Sequence, residues 1–407
     1  MHLTAMKGGF ILALASLAGF LSSIIFSVTL EREAYGEITT IFSIISILTL
    51  AAPLGTNAYF LTNIALYKEN SNAITSLPLV IAVFMGAAVF IIYSAPLNIA
   101  ILLMLITGTL SLQGILAAQT SQNSTKAALY QSNQAILKFI SAISVAIYFS
   151  IKKQHSNSLE IIAYSLIIGC TLSLPFLLNG TIDRTKLDNI FRYNFFAKLN
   201  RNQWITILSF WLSSMLGVSY SLGIIPLISY FHSYSLSAYL GIYFIFWSGE
   251  NILITTLINN YYWPKACSER QLGSINHKTI LDAGKASVFI SLLTTTGTTT
   301  ASLLLAEILW PEYTDIKIFL YTISAALFLR PLSAWIGMMM LSLDSKIIRK
   351  TTTQLIVTLL MLLYVFLVEI QQPFDLALML VVLESSYLLG YIIASTPKSS
   401  NLLIRKK

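Results

Sequence analysis

The sequence predicts an all-α integral membrane protein of about 12 transmembrane helices, arranged as two six-helix bundles around a central cavity. Three observations carry this reading: the poverty of charge, a succession of apolar segments of spanning length, and a one-sided distribution of lysine and arginine. Of the 407 residues, 56% are hydrophobic and only 10% are charged, with a mean hydropathy of +0.75. A soluble domain is roughly a quarter charged. A chain this poor in charge does not cover a water-facing surface of its own size, which excludes a soluble enzyme, a secreted scaffold and a disordered chain. The two cysteines, Cys170 and Cys267, make no disulfide framework.

A spanning helix needs about 20 apolar residues. Twelve stretches qualify: 8–30, 38–61, 73–94, 97–118, 131–151, 160–180, 204–231, 238–259, 286–306, 317–341, 353–370 and 376–395. None shows sustained alternation, so a β-barrel is excluded. The first is too long for a signal-peptide core and ends in Glu31-Arg32-Glu33 without a cleavage site, so it reads as an uncleaved helix. The second and fourth carry the polar residues Asn57 and Gln113, suited equally to interhelical bonding and to cavity lining. The fifth holds Lys138, and the sixth holds Cys170. The seventh is longer than the hydrocarbon is thick and contains Gly217, Gly223 and Pro226. A bend is expected near its end, because proline removes a helix hydrogen bond; it serves as a gate or as a passive tilt. The eighth contains Glu250, the tenth Arg330 and the twelfth Glu384. The ninth carries the hydroxyl run Thr294-Thr295-Thr296-Gly297-Thr298-Thr299-Thr300, which suits a wet wall or hydroxyls bonded to their own helix.

Orientation follows from the basic residues. With the N-terminus in the cytoplasm, nineteen of the 25 lysines and arginines fall inside, four (Arg32, Lys152, Lys153 and Lys317) fall outside, and Lys138 and Arg330 lie within helices. The reverse orientation inverts this bias, and an odd number of helices scrambles it. The net charge of +8 therefore reports membrane topology and not nucleic-acid binding. Both termini are therefore expected in the cytoplasm.

The chain divides at its middle. Residues 1–180 form an N-terminal six-helix bundle, 181–203 a basic amphipathic cytoplasmic linker, 204–395 a C-terminal six-helix bundle and 396–407 a basic cytoplasmic tail. In the linker Leu187, Ile190, Phe191, Phe195 and Leu199 recur among Arg184, Lys186, Arg192, Lys198 and Arg201, the pattern of a helix lying on an anionic leaflet. At an offset of 204 residues, Ala34-Tyr35 matches Ala238-Tyr239, and Ile38, Ile41 and Phe42 match Ile242, Ile245 and Phe246. Six crossings return the chain to its starting side, so the repeat is parallel.

The four histidines lie in tails or loops, no spacing suits zinc, and no Walker loop is present. The segments between spans are too short to fold into a catalytic domain. No catalytic residue, metal or cofactor is expected. The informative residues are charges inside the membrane, each costing about 3 kcal/mol on insertion scales unless it faces a partner or a wet cavity. Lys138 and Arg330 are candidates for a cationic cavity that holds a phosphate, Arg as a fork and Lys as a point charge. Each also has a structural alternative: Lys138 snorkels to the interface, or Arg330 pairs with Glu250 or Glu384. The two glutamates are therefore candidates for a structural ion pair or for coupling to a proton or sodium ion.

Twelve helices, two halves, about 400 residues and a basic middle linker resemble the Wzx-type polysaccharide flippases of the multidrug/oligosaccharidyl-lipid/polysaccharide exporter superfamily. The first hairpin carries the local match: Glu31-Arg32-Glu33-Ala34-Tyr35-Gly36, then Phe42-Ser43-Ile44-Ile45-Ser46 and Leu54-Gly55. Tyr262-Trp263-Pro264-Lys265-Ala266 resembles the family's proline-containing helix exit. The first outer turn lacks the Leu-Gly-Pro that usually precedes its acidic residue. The resemblance implies a flippase, not an enzyme. Its substrate is an undecaprenyl-pyrophosphate-linked oligosaccharide, moved from the cytoplasmic to the periplasmic leaflet by alternating access for O-antigen or capsule assembly. It further implies proton or sodium coupling, contact with membrane lipids, and a monomer that works beside a polysaccharide polymerase and a chain-length regulator. An ion-coupled multidrug antiporter of the same superfamily is the first alternative, and the lack of a carboxylate inside helices one to six, where Glu160 stands only at an end, argues against it. A peptidoglycan-precursor flippase usually adds two helices, and an integral-membrane glycan transferase needs a soluble acceptor loop.

Overall fold

The computed structural model describes residues 2–62, 64–89, 95–121, 123–152, 158–181, 199–263, 265–266, 269, 277–342 and 347–396. Every regular element among them is helical: α1 (His2–Thr29), α2 (Arg32–Ala51), α3 (Thr56–Thr62), α4 (Ile64–Val89), α5 (Ala95–Thr120), α6 (Ser124–Lys152), α7 (Ser158–Thr181), α8 (Arg201–Ser219), α9 (Ile224–Phe231), α10 (Tyr234–Ile254), α11 (His277–Leu304), α12 (Ala306–Leu309), α13 (Ile316–Trp335), α14 (Ile347–Leu367) and α15 (Pro373–Ser395). Two π-helical segments, Thr255–Tyr262 and Ile336–Ser342, continue α10 and α13. The amphipathic part of the expected linker, 182–198, lies outside the described residues.

Among the described residues, eight helices are long and apolar enough to cross a membrane, or nine when α8 and α9 count as one bent span. The other three expected spans also fall on helices, but their composition is poorer. The described apolar part of α4 is the short Ile74–Ala88, α10 contains Glu250 and Asn251, and α11 contains the threonine run. The molecule is a multi-pass helical membrane protein.

The expected stretch 38–61 needs correction at both ends. Helix α2 starts at Arg32, with Glu33 in its first turn where a carboxylate favours the helix dipole. It ends at Ala51, because Leu54 and Gly55 adopt positive φ of 49° and 76°. The glycine suits this turn, which β-carbon-bearing residues rarely adopt. Helix α8 starts with a reciprocal cap: Asn200 Oδ1 accepts from the Gln203 amide at 2.9 Å, and Gln203 Oε1 from the Asn200 amide at 2.8 Å.

The chain forms two compact units. The first is Met1–Gly249 together with Glu307–Ile316, and the second is Glu250–Ala306 with Lys317–Lys407. This division differs from one placed in 181–203, because α8 and α9 pack on α2 and α3. Tyr59 and Phe60 share a buried cluster with Ile74, Leu116 and Ile207. In the second unit Ile254, Ile258, Ala283, Ile290 and Met339 form a core.

Between α8 and α9 the chain bends by 51° at Tyr220–Gly223. Pro226 lies in the first turn of α9 and has no N–H to offer the Leu222 carbonyl four residues earlier. Ser43 of α2 donates to that carbonyl instead, and Thr40 bonds Ser229. Gly36 of α2 lies so close to the Tyr234 carbonyl that a β-carbon would collide with it. Helix α2 is thus hydrogen-bonded to the bend and to α9, and closely packed against the start of α10.

Candidate functional site

The first unit encloses a cavity of about 230 Å³. Its wall comes from α1 (Ser22, Ser23, Phe26), α2 (Tyr35 to Ser46), α6 (Lys138), the bend (Leu222, Ile225) and α10 (Gly241, Phe244, Trp247, Ser248). Among the described residues of this lining, Lys138 alone is charged. Its Nζ lies 4.6 Å from the centroid of the Phe42 ring, a cation–π contact. It makes no ion pair with a described residue. The lysine therefore faces a cavity and does not snorkel away from it.

The remainder of the wall is aromatic and hydroxylic. Phe26 packs against Phe42 at 5.9 Å, and Phe244 against Trp247 at 5.1 Å between centroids. The hydroxyls of Ser22, Thr39 and Ser46 each donate to a carbonyl of their own helix at 2.7 Å. Their protons are thereby committed, and their lone pairs remain as acceptors. The cavity thus offers one cation, aromatic faces and hydroxyl acceptors. Of these lining residues the sequence singles out Lys138 as a candidate, and Tyr35, Phe42, Ser43 and Ser46 within the first hairpin, but not Phe244, Trp247, Ser22 or Ser23. Aromatic and hydroxyl residues are common in apolar helices, and only the packing picks these out.

The second unit contains the other buried charges. Arg330 Nη1 donates to Glu250 Oε2 at 3.0 Å, and its Nη2 to Asn251 Oδ1 at 3.3 Å. Thr294 donates to Glu250 Oε1 at 3.1 Å. Glu250 is fully buried and Arg330 is 7% exposed. Both carboxylate oxygens are occupied, so Arg330 sits in a hydrogen-bonded ion pair. A π-helical segment begins five residues after Glu250 and another six residues after Arg330. Such segments occur often at functional sites. Glu384 is 2% exposed on α15 and shares a face with the buried Tyr387 and Tyr391.

The structure thus brings Arg330 and Glu250 together and places Lys138 in a separate unit. Of the bend candidates, Gly223 and Pro226 flank the break, whereas Gly217 lies inside α8. Gln113 donates to Asn57 Oδ1 at 3.0 Å, an interhelical bond. In the threonine run, Thr294 and Thr298 bond to carbonyls of their own helix, and Thr295 to the Ser324 carbonyl of α13 at 3.3 Å. No group of His, Cys, Asp and Glu able to hold a metal occurs among the described residues.

One further feature adjoins the cavity. The segment Glu307–Ile316 belongs to the first unit although both its flanks belong to the second. Trp310 donates to Ser27 Oγ of α1 at 2.9 Å, and Tyr239 of α10 donates to the Thr314 carbonyl at 2.6 Å. Tyr313 stacks edge-on against Tyr239 at 5.2 Å. Burial pushes the Tyr313 phenol above its usual range, reinforced by Tyr35 and Tyr239 and opposed by Arg32, so it stays protonated. Its hydroxyl has no hydrogen-bond partner among the described residues.

No family model matches the chain, and no curated protein matches it in sequence. Its fold is nevertheless similar to solved structures along nearly its whole length. One is a multidrug resistance MATE family transporter of the MOP superfamily in an inward-facing conformation. It aligns with a TM-score of 0.63 and 13% identity over 96% of each chain. The lipid II flippase MurJ, in an inward closed conformation, aligns with a TM-score of 0.68 and 13% identity over 97% of this chain and 87% of that one. A MOP superfamily transporter from Pyrococcus furiosus, whose reverse polarity of binding pocket suggests a different function, aligns with a TM-score of 0.53 and 13% identity over 96% and 92%. These likenesses establish the fold.

Proposed function

We propose that the chain is a transporter of the flippase kind. Its cargo is an oligosaccharide carried on undecaprenyl pyrophosphate, moved from the cytoplasmic to the periplasmic leaflet for surface polysaccharide assembly. The observation that carries this reading is the Lys138 cavity. A fixed cation beside hydroxyl acceptors and aromatic faces suits an anionic, sugar-bearing headgroup. The polyprenyl tail stays in lipid, so shielding the headgroup from hydrocarbon is the whole physical task. The solved structures that share the fold include a lipid II flippase and a multidrug transporter. A cavity with no carboxylate among the described residues of its lining favours the anionic cargo over a small organic cation.

In this proposal the chain works by alternating access in a bacterial inner membrane, as two six-helix halves (1–180 and 204–395) joined by the 181–203 linker. Arg330 and Glu250 hold their part of the second unit together. Glu384 is the remaining candidate for coupling to a proton or sodium ion. Both termini are cytoplasmic, a placement supported by the distribution of lysine and arginine. A cysteine at Ser274 is then labelled only after permeabilisation, and one at Thr314 is labelled in intact spheroplasts; the reverse pattern overturns the orientation. A polysaccharide polymerase and a chain-length regulator are the expected neighbours.

The function is tested by extracting lipids from cells lacking the chain and identifying polyprenyl-pyrophosphate sugars by mass spectrometry. Accumulation of an oligosaccharide-linked lipid with loss of surface glycan is expected. An unchanged lipid pool with altered sensitivity to cationic drugs would move the assignment to a multidrug antiporter.

A further inference from the structure

We propose that the segment Glu307–Ile316 is a lid that closes one end of the Lys138 cavity and is held there by Trp310 and Tyr239. This rests on the reading of that cavity as the substrate path. Three of the elements that line the cavity meet the segment at the same end. Ser27, the acceptor for Trp310, directly follows the lining residue Phe26 near the end of α1. Tyr35 lines the cavity at the start of α2, near enough to Tyr313 to disfavour its phenolate. Tyr239, bonded to the Thr314 carbonyl, lies two residues before the lining residue Gly241 near the start of α10. Trp310 and Tyr313 are only 2% and 5% exposed, so the segment is seated and not draped.

Its seating is also strained, which suits a part that must release. Asp315 adopts a φ of 57°, the left-handed region that a non-glycine residue enters at a cost. It stands one residue before Ile316, where the chain returns to the second unit. Both ends of the segment continue into that unit, through α11 and α13, so displacement of those helices pulls on the lid through the chain. The lid thereby connects the second unit to access to Lys138 without any residue of the lid touching the lysine.

The test reads access directly. The full chain, with Cys170→Ser and Cys267→Ser, receives a reporter thiol by Ser23→Cys in the cavity wall and is placed in lipid nanodiscs. The rate of modification by a small, charged methanethiosulfonate is then measured. Tyr239→Phe keeps the ring and removes one hydrogen bond of the lid; Trp310→Phe removes the other and leaves a smaller aromatic ring in place of the indole. Each should raise the rate about three- to tenfold, the factor expected for one hydrogen bond, and the two together should multiply. Hydrogen–deuterium exchange across 307–316 in the same variants reports whether the segment has loosened. Faster exchange with an unchanged modification rate would overturn the proposal, making the segment an anchor and not a lid. Unchanged exchange and modification would overturn it as well, because the two bonds would not be what holds the segment. Modification needs no substrate, so this result stands apart from the lipid analysis that tests the transport reading.

Discussion

Two cations that lie within apolar helices, Arg330 and Lys138, are surrounded in opposite ways. Arg330 of the second unit meets Glu250 and Asn251, and Thr294 completes the carboxylate's bonding. Lys138 of the first unit meets the face of Phe42 and a cavity. The difference teaches how to separate a structural charge from a working one. A charge whose partners occupy its bonding directions has little capacity for a ligand. A lysine set against an aromatic face has three N–H donors and a cavity into which to direct them. Insertion cost alone does not distinguish the two, since both are expensive in hydrocarbon.

The comparison is broken most forcefully from the arginine's side. Glu250→Ala leaves the guanidinium buried without its carboxylate, which typically destabilises by about 3–5 kcal/mol. The purified variant should melt well below the parent and accumulate poorly. Replacing both partners together, as Glu250→Leu with Arg330→Met, should recover most of the loss, because a buried pair is often no better than well-packed apolar groups. If the double variant recovers stability and also exports glycan, the pair is structural. If it recovers stability and exports nothing, the pair has a role in transport as well.

Lys138→Ala should behave in the reverse manner. It removes no ion pair, so the protein should accumulate and melt close to the parent. If Lys138 binds the proposed anionic headgroup, surface glycan should fall at least tenfold, about 1.4 kcal/mol of lost interaction. Lys138→Arg should retain part of the activity, since the charge remains but the headgroup geometry changes. Normal export from Lys138→Ala would end the cationic-cavity reading.

These two residues also show what the sequence made legible. Lysine, arginine and glutamate inside spanning segments stand out against their background, so Lys138, Arg330, Glu250 and Glu384 could be named from composition and position. Their partners could not, because helix rotation decides which side chains face each other. The π-helical segments after Glu250 and Arg330 shift that rotation and have no clear sequence signal. At the offset of 204 residues the matched positions are also matched in burial. Tyr35 and Tyr239, Ile38 and Ile242, and Ile41 and Ile245 are all 3% exposed or less, whereas Phe42 and Phe246 are both half-buried. The hinge of the second span was missed, because Leu54-Gly55 lies within an apolar run whose hydropathy hides the turn.

A smaller effect is expected at Phe42. Phe42→Leu removes the ring face under Lys138 while retaining apolar volume, and a cation–π contact contributes about 0.5–2 kcal/mol. The lysine should then sample more positions, so export should fall a few-fold without loss of protein. Phe42→Tyr keeps the ring and should restore export. Equal loss in both variants would show that packing at this position matters and the ring face does not.

The smallest effect concerns the bend that forms one wall of the lysine's cavity. Both cation-bearing units have a proline in the relevant helix, yet only one helix breaks. Pro331 directly follows Arg330, and α13 stays continuous until it widens into a π-helix. Pro226 instead follows a bend of 51°. The proline frees the Leu222 carbonyl, but two other groups already use it: the Ile225 amide at 3.3 Å and the Ser43 hydroxyl. Pro226→Ala restores an N–H that finds its acceptor occupied, so α9 gains little from straightening. The expected change in stability is within about 0.5 kcal/mol, and export should persist. Ser43→Ala removes the competing donor, and in the Pro226→Ala background it should let the restored amide bond Leu222 and straighten the span. Loss of export only in the double variant would assign the bend to the α2 contact, with the proline as its accessory. Loss in Pro226→Ala alone would place the bend in the proline itself, and would make the lysine's cavity depend on one backbone defect in the way the arginine's surroundings do not.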